Sequence, residues 1–489
     1  MALHTQAAGA RKPPQRGPFA DLSLPLELTV RADGADQVVE LTAKLGQGGQ
    51  GAVFATQNRN VVLKLCAASG DEQARSLVRR FERLQCLGLE DLPIALPEAV
   101  VEAPTLTAVG YLAPWLEDMI SLQHWLAWPS GDGEIDVWYG QTGGLRRRLR
   151  ALAKVARMLA ALHARGASYG DVSPGNVFVS ESLDHEQVWL IDADNIAYVV
   201  EADGAVYTPR YGAPEIVRGQ NTATLAADVF SFGLMAFEIL TLCHPLIGDE
   251  VNDGEPELEE AALCGEVPWI DDPDDDVNAT NLGYPRTILL TNRLRRVAEA
   301  TFGAGRLEPR ARPSMATWAD ALSRAADGCA TCTEARCGHS FRVALPACPF
   351  CDAPLRDDMT RVDLQLWRQG DALRAAGCVG ASLRSWVFAA DAALHLPRSA
   401  LLGRREWLAQ EPALTLTRTA RGVRVSGDLG VGGGGDQTTI VVASPGSTDP
   451  KGDSQRLGRG RVIDRGWRVH LDPERDVHRV LVVSFEKAK

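Results

Sequence analysis

An aspartate and an asparagine lie five residues apart between two apolar segments, in the stretch YGDVSPGN of residues 169–176. Asp171 and Asn176 flank a turn-forming Ser-Pro-Gly, and Asp192 ends another apolar segment sixteen residues after Asn176. Carboxylate and amide oxygens are ligands that Mg²⁺ prefers, so Asn176 and Asp192 are candidates for holding the magnesium ion of a nucleotide. Asp171 then remains to accept or orient the proton of an attacking hydroxyl group. The pattern predicts phosphoryl transfer.

A glycine-rich run, GQGGQGAV at residues 46–53, fits the pattern G-x-G-x-x-G-x-V. Such runs also open dinucleotide-binding helices, so the run alone does not decide between the two. Here it lies between two strand-like segments, where glycines let a hairpin backbone close over phosphates. The candidate nucleotide-binding residues are therefore Gly46, Gly48, Gly49, Gly51 and Val53.

Lys64 lies thirteen residues after Gly51, in the middle of the apolar segment VVLKL. Burying a lysine is costly unless its charge meets anions, so we expect phosphate oxygens and a carboxylate of the following helix as its partners. Glu82 is the preferred carboxylate. Glu72 is the alternative, but it falls in the first helical turn, where acidic residues are common because of the helix dipole.

The surrounding elements indicate an α+β fold. Residues 25–66 alternate like strands, and a helix is predicted over 71–87, with Leu77, Phe81 and Leu84 on one face. Residues 145–322 are mainly helical in pattern. A second helical segment is predicted over 356–410, which is rich in Ala, Leu and Trp, and a small β-rich domain over 411–489. Two insertions in this last domain, residues 427–436 and 444–455, are predicted to be mobile loops.

Length and composition favour a soluble protein of several domains. A chain of 489 residues suggests two to four domains. Residues 1–24 have no apolar run of the signal-peptide type and are interpreted as a flexible arm. The most apolar later segment, 229–243, is short and contains Glu238, so we expect a buried helix and a cytoplasmic protein without a membrane span.

The net charge of −12 is local, because residues 249–276 hold 13 acidic residues and no Lys or Arg. A solvated surface is the favoured interpretation of this segment, and a docking surface for a basic partner is the alternative.

Two C-x-x-C pairs, Cys329 with Cys332 and Cys348 with Cys351, are separated by fifteen residues. Four thiolates at this spacing suit tetrahedral zinc, and metal binding would fold a module too small for its own core. A structural zinc ribbon is therefore predicted over 327–355. Cys337 and His339 lie between the pairs, and either could replace one ligand. No basic and aromatic run flanks the module, so nucleic acid is not an expected partner.

Three further segments complete a resemblance to the protein-kinase family: TPRYGAPE at 208–215, DVFSFG at 228–233 and PRARPS at 309–314. With the segments above they follow the family's order across residues 40–325. The resemblance implies a bilobal protein-kinase fold over 25–326, with a β-rich N-lobe and a helical C-lobe. It also implies ATP with Mg²⁺ or Mn²⁺, a Glu215–Arg312 pair, and a hinge at 112–115. Backbone groups of that hinge, at Leu112, Ala113 and Trp115, would bind the adenine.

The chain departs from the family pattern at three places. Tyr169-Gly170 replaces the usual His-Arg, which makes this a non-RD kinase whose activity should not depend on activation-loop phosphorylation. Ser173 replaces a lysine, as in small-molecule and atypical kinases, whereas Thr208 resembles the threonine that serine/threonine kinases set beside the catalytic aspartate. Ala193-Asp194 replaces Phe-Gly, and the added carboxylate could bind metal or stiffen the loop.

The resemblance is to bacterial kinases of tellurite-resistance and stress loci, whose neighbours include von Willebrand factor A-type proteins and metal-dependent phosphatases. We therefore expect a serine/threonine protein kinase of bacterial stress signalling, with Asp171, Lys64, Glu82 and Thr208 as its catalytic set. A nucleotide-binding pseudokinase scaffold and a small-molecule kinase are the alternatives.

Overall fold

The computed structural model describes residues 19–32, 34–48, 51–128, 134–198, 206–220, 224–368, 378–402, 412–427, 440–444, 455–456, 460–464, 466–471, 473 and 477–485. Residues 1–18 of the predicted arm, and residues 428–436 and 445–454 of the predicted loops, lie outside these ranges. The chain forms two compact units, a first unit of 1–132, 154–283 and 296–316 and a second unit of 133–153, 284–295 and 317–489.

The first unit begins with a closed antiparallel barrel in the order β1-β2-β3-β4-β6-β5. Its strands are β1 (Leu26–Ala32), β2 (Ala35–Gln47), β3 (Gly51–Thr56), β4 (Val61–Ala67), β5 (Ala99–Ala103) and β6 (Ala108–Pro114). Alternate residues point inward, as a half-buried strand requires, and Leu28, Val30, Phe54, Leu63 and Leu65 fill the barrel core. The predicted strands are confirmed, and their pairing fixes the positions of the glycine run and of Lys64.

The end of the predicted N-terminal arm is ordered against this barrel, so that prediction is wrong for residues 19–24. Phe19 is buried in the barrel core, with its ring 6.3 Å from that of Phe54. Its backbone carbonyl accepts a hydrogen bond of 2.6 Å from Lys44 Nζ. Burial of the Phe19 ring, together with the packing of Leu22 and Leu24 against the same core, favours the ordered segment.

The helix predicted after the barrel strands is α1 (Asp71–Gln85). It buries Phe81 and Leu84, and the Phe81 ring meets the ring of Tyr111 from β6 edge to face at 4.9 Å. The apolar spacing therefore predicted both the helix and its buried face.

Residues 145–322 are mainly helical, as predicted. The helices are α2 (Glu134–Gln141), α3 (Gly144–Ala164), α4 (Pro214–Val217), α5 (Leu225–Thr241), α6 (Asp249–Asp253), α7 (Pro256–Leu263), α8 (Arg286–Leu289), α9 (Asn292–Phe302), α10 (Ala304–Leu307) and α11 (Met315–Asp327). Short strands lie between them: β7 (Met119–Ser121), β8 (Ala167–Ser168), β9 (Val177–Ser180), β10 (Val188–Leu190) and β11 (Ala197–Tyr198). Helix α5 is buried almost throughout, as expected for residues 229–243. Within the described ranges no helix combines the length and apolar character needed to cross a bilayer.

The second unit contains a hairpin followed by two sheets. Its strands are β12 (Cys329–Thr331), β13 (Ser340–Arg342), β14 (Thr360–Arg368), β15 (Cys378–Phe388), β16 (Ala393–Pro397), β17 (Pro412–Thr419), β18 (Gly422–Gly427), β19 (Ile440–Ala443), β20 (Gln455–Arg456), β21 (Arg461–Ile463), β22 (Arg468–Leu471) and β23 (Val477–Phe485). One sheet has the order β15-β14-β23-β22-β19-β20 and the other β16-β17-β18-β21. Buried side chains from both sheets form one apolar core.

The predicted helical segment over 356–410 is wrong. Strands β14, β15 and β16 occupy most of its described residues, and α12 (Arg398–Leu402) is a short helix within it. Composition suggested a helix, but burial along β14 alternates, with Thr360, Val362 and Leu364 inside and their neighbours half-buried. This period of two, together with pairing on both sides, decides for a strand. The terminal β-rich domain therefore begins near residue 360 rather than at 411.

Candidate active site and metal centre

The glycine-rich run forms the turn between β2 and β3. Gly46 pairs with Val53, and the Gly48 N–H donates to the Gly51 carbonyl at 2.8 Å. A Cβ on Gly51 would overlap the carbonyl oxygen of Leu65 on β4, so this position requires glycine. Gly49 lies outside the described residues. The predicted hairpin is present, and its phosphate-binding role remains a prediction.

Lys64 lies on β4 between Val53 of β3 and Tyr111 of β6. Its ammonium group forms ion pairs with Asp192 and with Asp194, the latter at 2.6 Å. Burial would lower the pKa of Lys64, but the carboxylates of Asp194 and Asp192 outweigh it and raise this pKa above its usual value. The buried lysine therefore stays charged and meets anions, as the sequence predicted.

The predicted partner of Lys64 on the helix is wrong. Glu82 is exposed, and so is the alternative, Glu72. The apolar face of α1 is the one that turns inward, with Phe81 and Leu84 buried, and helical periodicity places Glu82 outside that face. Asp194 supplies the buried carboxylate instead.

Asp194 is almost fully buried, at 4% exposure, and both of its carboxylate oxygens have partners. Oδ2 pairs with Lys64, and Oδ1 accepts a hydrogen bond of 2.5 Å from the hydroxyl of Tyr111. From α1, Arg80 Nε donates to the backbone carbonyl of Asp194 at 2.6 Å, and its guanidinium also donates to Asn195 Oδ1 at 2.8 Å. Tyr111 and Arg80 were not predicted from the sequence. The substitution of Phe-Gly by Ala193-Asp194 was the one available signal for Asp194.

The loop before Asp171 is held by Asp228, at the start of α5. Its carboxylate accepts hydrogen bonds from the backbone N–H of Tyr169 at 2.7 Å and of Gly170 at 2.9 Å, and His163 Nε2 lies 2.9 Å from it. Gly170 has φ +89°, and a Cβ there would lie 2.9 Å from the Asn195 carbonyl. This explains glycine where the family has arginine, because a side chain would be strained at that backbone angle.

Asp171 lies between the two residues predicted to work with it. Its Oδ1 accepts hydrogen bonds from the backbone N–H of Thr208 at 2.7 Å and from the Thr208 hydroxyl at 2.8 Å. Its Oδ2 accepts from Asn176 Nδ2 at 3.0 Å, and the Thr208 hydroxyl lies 3.1 Å from Ser173 Oγ. Four polar side chains thus meet at one point, although their catalytic roles remain predictions.

Asn176 and Asp192 are adjacent through the backbone, since the Ile191 N–H donates to the Asn176 carbonyl at 3.0 Å. The Asn176 Nδ2 is used by Asp171, which leaves Oδ1 as the amide atom for a metal ion. Asp192 has φ +59°, and burial and the neighbouring Asp194 raise its pKa against the effect of Lys64. A carboxylate and an amide oxygen at this point fit Mg²⁺, whose charge would favour the ionised Asp192.

The predicted hinge residues lie at the end of β6. Leu112 and Ala113 pair with β4, the Leu112 carbonyl accepts from the Glu98 N–H at 2.7 Å, and the Trp115 N–H donates to the Asn60 carbonyl at 2.7 Å. These backbone groups already have partners within the barrel, and their contact with adenine remains a prediction.

The predicted pair of Glu215 and Arg312 is confirmed. Two parallel hydrogen bonds of 2.7 Å join the guanidinium to the carboxylate, and both side chains are buried. Arg312 also donates to the carbonyls of Gly305 and Ala226 and lies 4.6 Å above the ring of Phe230. This pair fixes the segment that follows Thr208 against the helices of the first unit.

Removing one partner of this pair is expected to be strongly destabilising, because the other charge would remain buried alone. We expect Arg312→Ala to lower the free energy of unfolding by about 3–5 kcal/mol. The matched control is Arg293→Ala, whose pair with Asp320 is exposed at 55% and 40%, and a loss of under about 1 kcal/mol is expected there. Urea unfolding of both variants checks this, and equal losses would contradict it.

Neutral His244 forms hydrogen bonds that link the segment after Thr208 to the residues that follow helix α5. Its Nε2 donates to the Arg210 carbonyl at 3.0 Å, and its Nδ1 accepts from the Leu246 N–H at 3.2 Å. Burial, with the nearby charge of Arg210, lowers the pKa of His244 from 6.5 to about 3. Adding a proton at Nδ1 would break the bond to Leu246.

Acid is therefore expected to destabilise the first unit through His244. Below pH 6.5 His244 is protonated in the unfolded chain, but in the folded chain it stays neutral down to about pH 3. The free energy of unfolding therefore falls by about 1.4 kcal/mol per pH unit between these two values. In His244→Gln this contribution is absent. We expect the difference in unfolding temperature between wild type and variant to shrink from pH 7 to pH 4, and a constant difference would contradict the assignment.

Four cysteines of the second unit cluster with their Sγ atoms within 4.8 Å of one another: Cys332, Cys337, Cys348 and Cys351. The Sγ atoms of Cys332 and Cys351 lie 3.4 Å apart, and those of Cys337 and Cys348 lie 3.7 Å apart. Tetrahedral zinc with Zn–S bonds of about 2.3 Å sets its sulfurs about 3.8 Å apart, whereas a disulfide needs about 2.0 Å. The arrangement therefore fits a metal ion better than a disulfide.

The prediction of Cys329 as a ligand is wrong, and Cys337 takes its place. Cys329 is the first residue of β12, fully buried, with Sγ 3.2 Å from the Ala325 carbonyl. Strand pairing with Arg342 of β13 directs it away from the cluster. His339, the other predicted replacement, is also not in the cluster, because its ring stacks on Phe350 at 3.7 Å.

Comparisons with known proteins agree with this geometry. Residues 141–286 match the family model described as the protein kinase domain, and residues 78–199 match that of the lipopolysaccharide kinase (Kdo/WaaP) family. The chain is 36% identical to the serine/threonine-protein kinase pkn2 of Myxococcus xanthus over 111 residues, 21% of this chain and 13% of that protein.

Two further relatives are similar over a segment of the same size. The serine/threonine-protein kinase PknB of Mycolicibacterium smegmatis is 32% identical over 21% of this chain and 17% of its own length. PknA of Mycobacterium tuberculosis is 33% identical over 22% of this chain and 25% of its own length. The chain thus spans a quarter or less of the length of these relatives. The segment that holds Asp171, Asn176, Asp192 and Thr208 is thus similar to the protein kinase domain and to bacterial serine/threonine kinases.

Proposed function

We propose that this protein is an ATP-dependent serine/threonine protein kinase. The observation that carries the proposal is the position of Asp171, whose carboxylate is held by Thr208 on one side and by Asn176 on the other. Lys64 lies in the same unit with its charge retained. The relatives that carry this function in their names are matched over part of their length, so the activity of the whole chain is our inference.

In the proposed mechanism, separate residues bind the phosphates, the magnesium ion and the acceptor hydroxyl. The hairpin of residues 46–51 and the ammonium group of Lys64 bind the phosphates of ATP. Asn176 Oδ1 and Asp192 would hold magnesium, which neutralises charge on the transferred group when bound. Asp171 orients the hydroxyl of the acceptor. A carboxylate has about four lone-pair sites, so the bonds from Thr208 and Asn176 leave room for this contact.

Serine or threonine of a protein is the acceptor that the site favours. Thr208 bonds to Asp171, and the segment that follows it is anchored by Glu215 and Arg312, which gives a fixed surface beside the acceptor position. A small-molecule acceptor is the second candidate, because Ser173 occupies the place of a lysine and residues 78–199 resemble lipopolysaccharide kinases.

The acceptor class is tested by supplying ATP labelled at the γ-phosphate with Mg²⁺ or Mn²⁺. Generic acceptor proteins, the chain itself and a sugar-lipid acceptor are offered in parallel, and labelled protein is hydrolysed to identify the phosphorylated amino acid. Label on serine or threonine supports the proposal. Label on the sugar-lipid alone favours the small-molecule alternative, and nucleotide-dependent thermal stabilisation without transfer favours a pseudokinase scaffold.

Transfer is expected not to require phosphorylation of the activation segment. A phosphate there is usually bound by the arginine before the catalytic aspartate, and Gly170 occupies that place with a backbone angle that a side chain would strain. Phosphatase-treated and untreated protein should therefore transfer phosphate at rates within about twofold of each other. A loss of turnover on treatment, reversed by rephosphorylation, would refute this.

We further propose structural zinc at Cys332, Cys337, Cys348 and Cys351. A site closed by four thiolates leaves no open position for chemistry, so its role is to fold residues 327–355 or to bind a partner. Tellurite-resistance or stress signalling in the bacterial cytoplasm is the proposed context, with von Willebrand factor A-type proteins and metal-dependent phosphatases as partners. Recovery of neither class by affinity capture in near-native salt would count against that context.

A further inference from the structure

In protein kinases the lysine that binds the phosphates is aligned by a glutamate on the helix that follows it. We infer that in this protein Asp194, on the metal-binding loop, is the residue that positions Lys64, and that helix α1 supplies no carboxylate for this purpose. The inference rests on the proposed function, since it concerns the phosphate-binding lysine of the same site.

The contacts of Asp194 satisfy what such a partner needs. Its side chain is 5% exposed, against 14% for Lys64, and its Oδ2 lies 2.6 Å from the ammonium nitrogen. Its other oxygen accepts the hydroxyl hydrogen of Tyr111, a buried residue that pairs with Lys64 across the two strands. A carboxylate removed from water and held at both oxygens can fix the direction of the lysine.

Helix α1 presents a cation to this loop rather than an acid. Arg80 donates to the backbone carbonyl of Asp194 and to the side chain of Asn195, while Glu82 is exposed on the helix. The helix is therefore linked to the metal-binding loop through Arg80. The Lys64–Asp194 pair itself is formed between β4 and that loop, without a carboxylate from the helix.

The alternative role for Asp194, a second metal ligand, agrees less well with the geometry. Both of its oxygens are already bound to Lys64 and Tyr111, and the side chain is almost inaccessible. Asp192 is the accessible carboxylate of the pair, with 36% of its side chain exposed. Asp192 also contacts Lys64, but its greater exposure suits metal binding, whereas Asp194 has both oxygens engaged and serves to position the lysine.

The test compares Asp194→Asn with Glu82→Gln in the full chain, using two readouts. The first is the rate at which an amine-reactive acyl ester labels Lys64 without nucleotide at pH 9, measured by mass spectrometry. Loss of this carboxylate removes one of the two ion pairs that hold the Lys64 ammonium group, so labelling should be faster in Asp194→Asn. Glu82→Gln should label at the wild-type rate.

The second readout is phosphoryl transfer as a function of Mg²⁺ concentration. A misplaced lysine is expected to reduce kcat about 10²-fold in Asp194→Asn at every Mg²⁺ concentration, with Glu82→Gln within about twofold of wild type. Tyr111→Phe keeps the ring on Phe81 and removes only the hydroxyl. It should speed labelling less than Asp194→Asn, and it gives a test if that variant does not fold.

The outcomes separate this inference from the proposed function. Faster labelling in Asp194→Asn together with no transfer by wild type would keep the inferred pair and refute the kinase activity. Unchanged labelling in Asp194→Asn and faster labelling in Glu82→Gln would overturn the inference. Recovery of Asp194→Asn turnover at high Mg²⁺ would also overturn it, because that is the behaviour of a lost metal ligand.

Discussion

Asp171→Asn is expected to lower the rate of γ-phosphoryl transfer by about 10²–10⁴-fold and to leave ATP binding close to that of wild type. The carboxylate bonds to both Thr208 and Asn176, and the proposed mechanism gives it the hydroxyl of the acceptor. An amide keeps one acceptor oxygen for Thr208 but cannot take the acceptor proton. Its NH₂ group would also face the Asn176 amide, so a small loss of stability is expected as well.

The matched control for this prediction is Asp184→Asn, at an exposed aspartate in the turn between β9 and β10. It makes the same chemical change outside the site and should leave transfer unchanged. Initial rates at saturating ATP, with ATP-dependent thermal stabilisation of each protein, make the comparison. Equal rates for wild type and Asp171→Asn would remove Asp171 from the mechanism.

Cys337→Ser is expected to release the metal from the second unit, whereas Cys329→Ser is expected to retain it. The cluster contains Cys337, and Cys329 points to the Ala325 carbonyl instead. Structural zinc contributes roughly 10–16 kcal/mol of apparent binding free energy, so loss of one thiolate should also unfold residues 327–355. A serine hydroxyl at 329 can keep the bond to Ala325, which makes that change mild.

Zinc per chain, measured by elemental analysis of purified protein, is the readout. Wild type and Cys329→Ser should each contain about one zinc, and Cys337→Ser well under half of that. Cys86→Ser, at an exposed free cysteine of the first unit, controls for general effects of removing a thiol. Loss of zinc from Cys329→Ser with full occupancy in Cys337→Ser would restore the ligand set predicted from spacing.

The sequence predicted those parts of the site where both the residue types and their order along the chain match the family's motifs. Asp171, Asn176 and Thr208 were predicted to work together, and the structure brings them within hydrogen-bond distance. The pairing of Glu215 with Arg312 was predicted across 97 residues and is present with two hydrogen bonds. These residues were predicted correctly because a carboxylate, an amide or a guanidinium at each of these motif positions has few other possible partners.

The partner of Lys64 was predicted wrongly because a family rule was applied to a helix that does not follow it. Leu77, Phe81 and Leu84 already defined the buried face, and Glu82 lies off that face by the period of the helix. The replacement of the family's Phe-Gly by Ala193-Asp194 was the signal that pointed to the true partner of Lys64. A second carboxylate two residues after Asp192 is costly to bury unless a cation is near, and Lys64 is that cation.

One cysteine of the cluster and the strands before residue 411 were missed for reasons of local geometry. Two C-x-x-C pairs suggested Cys329, but β12 begins at this residue, and pairing with β13 decides which way its side chain points. Residues 360–368 were interpreted from composition, although their buried positions alternate with a period of two. In both cases strand pairing determined the outcome, between β12 and β13 and between β14 and its neighbours β15 and β23.

The kinase activity of this protein is tested first by transfer of labelled γ-phosphate from ATP to protein by the full chain, with Asp171→Asn assayed in parallel. We expect label on serine or threonine of protein in the wild-type reaction and its loss in the variant, with ATP stabilising both proteins. Bound ATP with no transfer by wild type, or transfer that persists in Asp171→Asn, would refute the proposed mechanism.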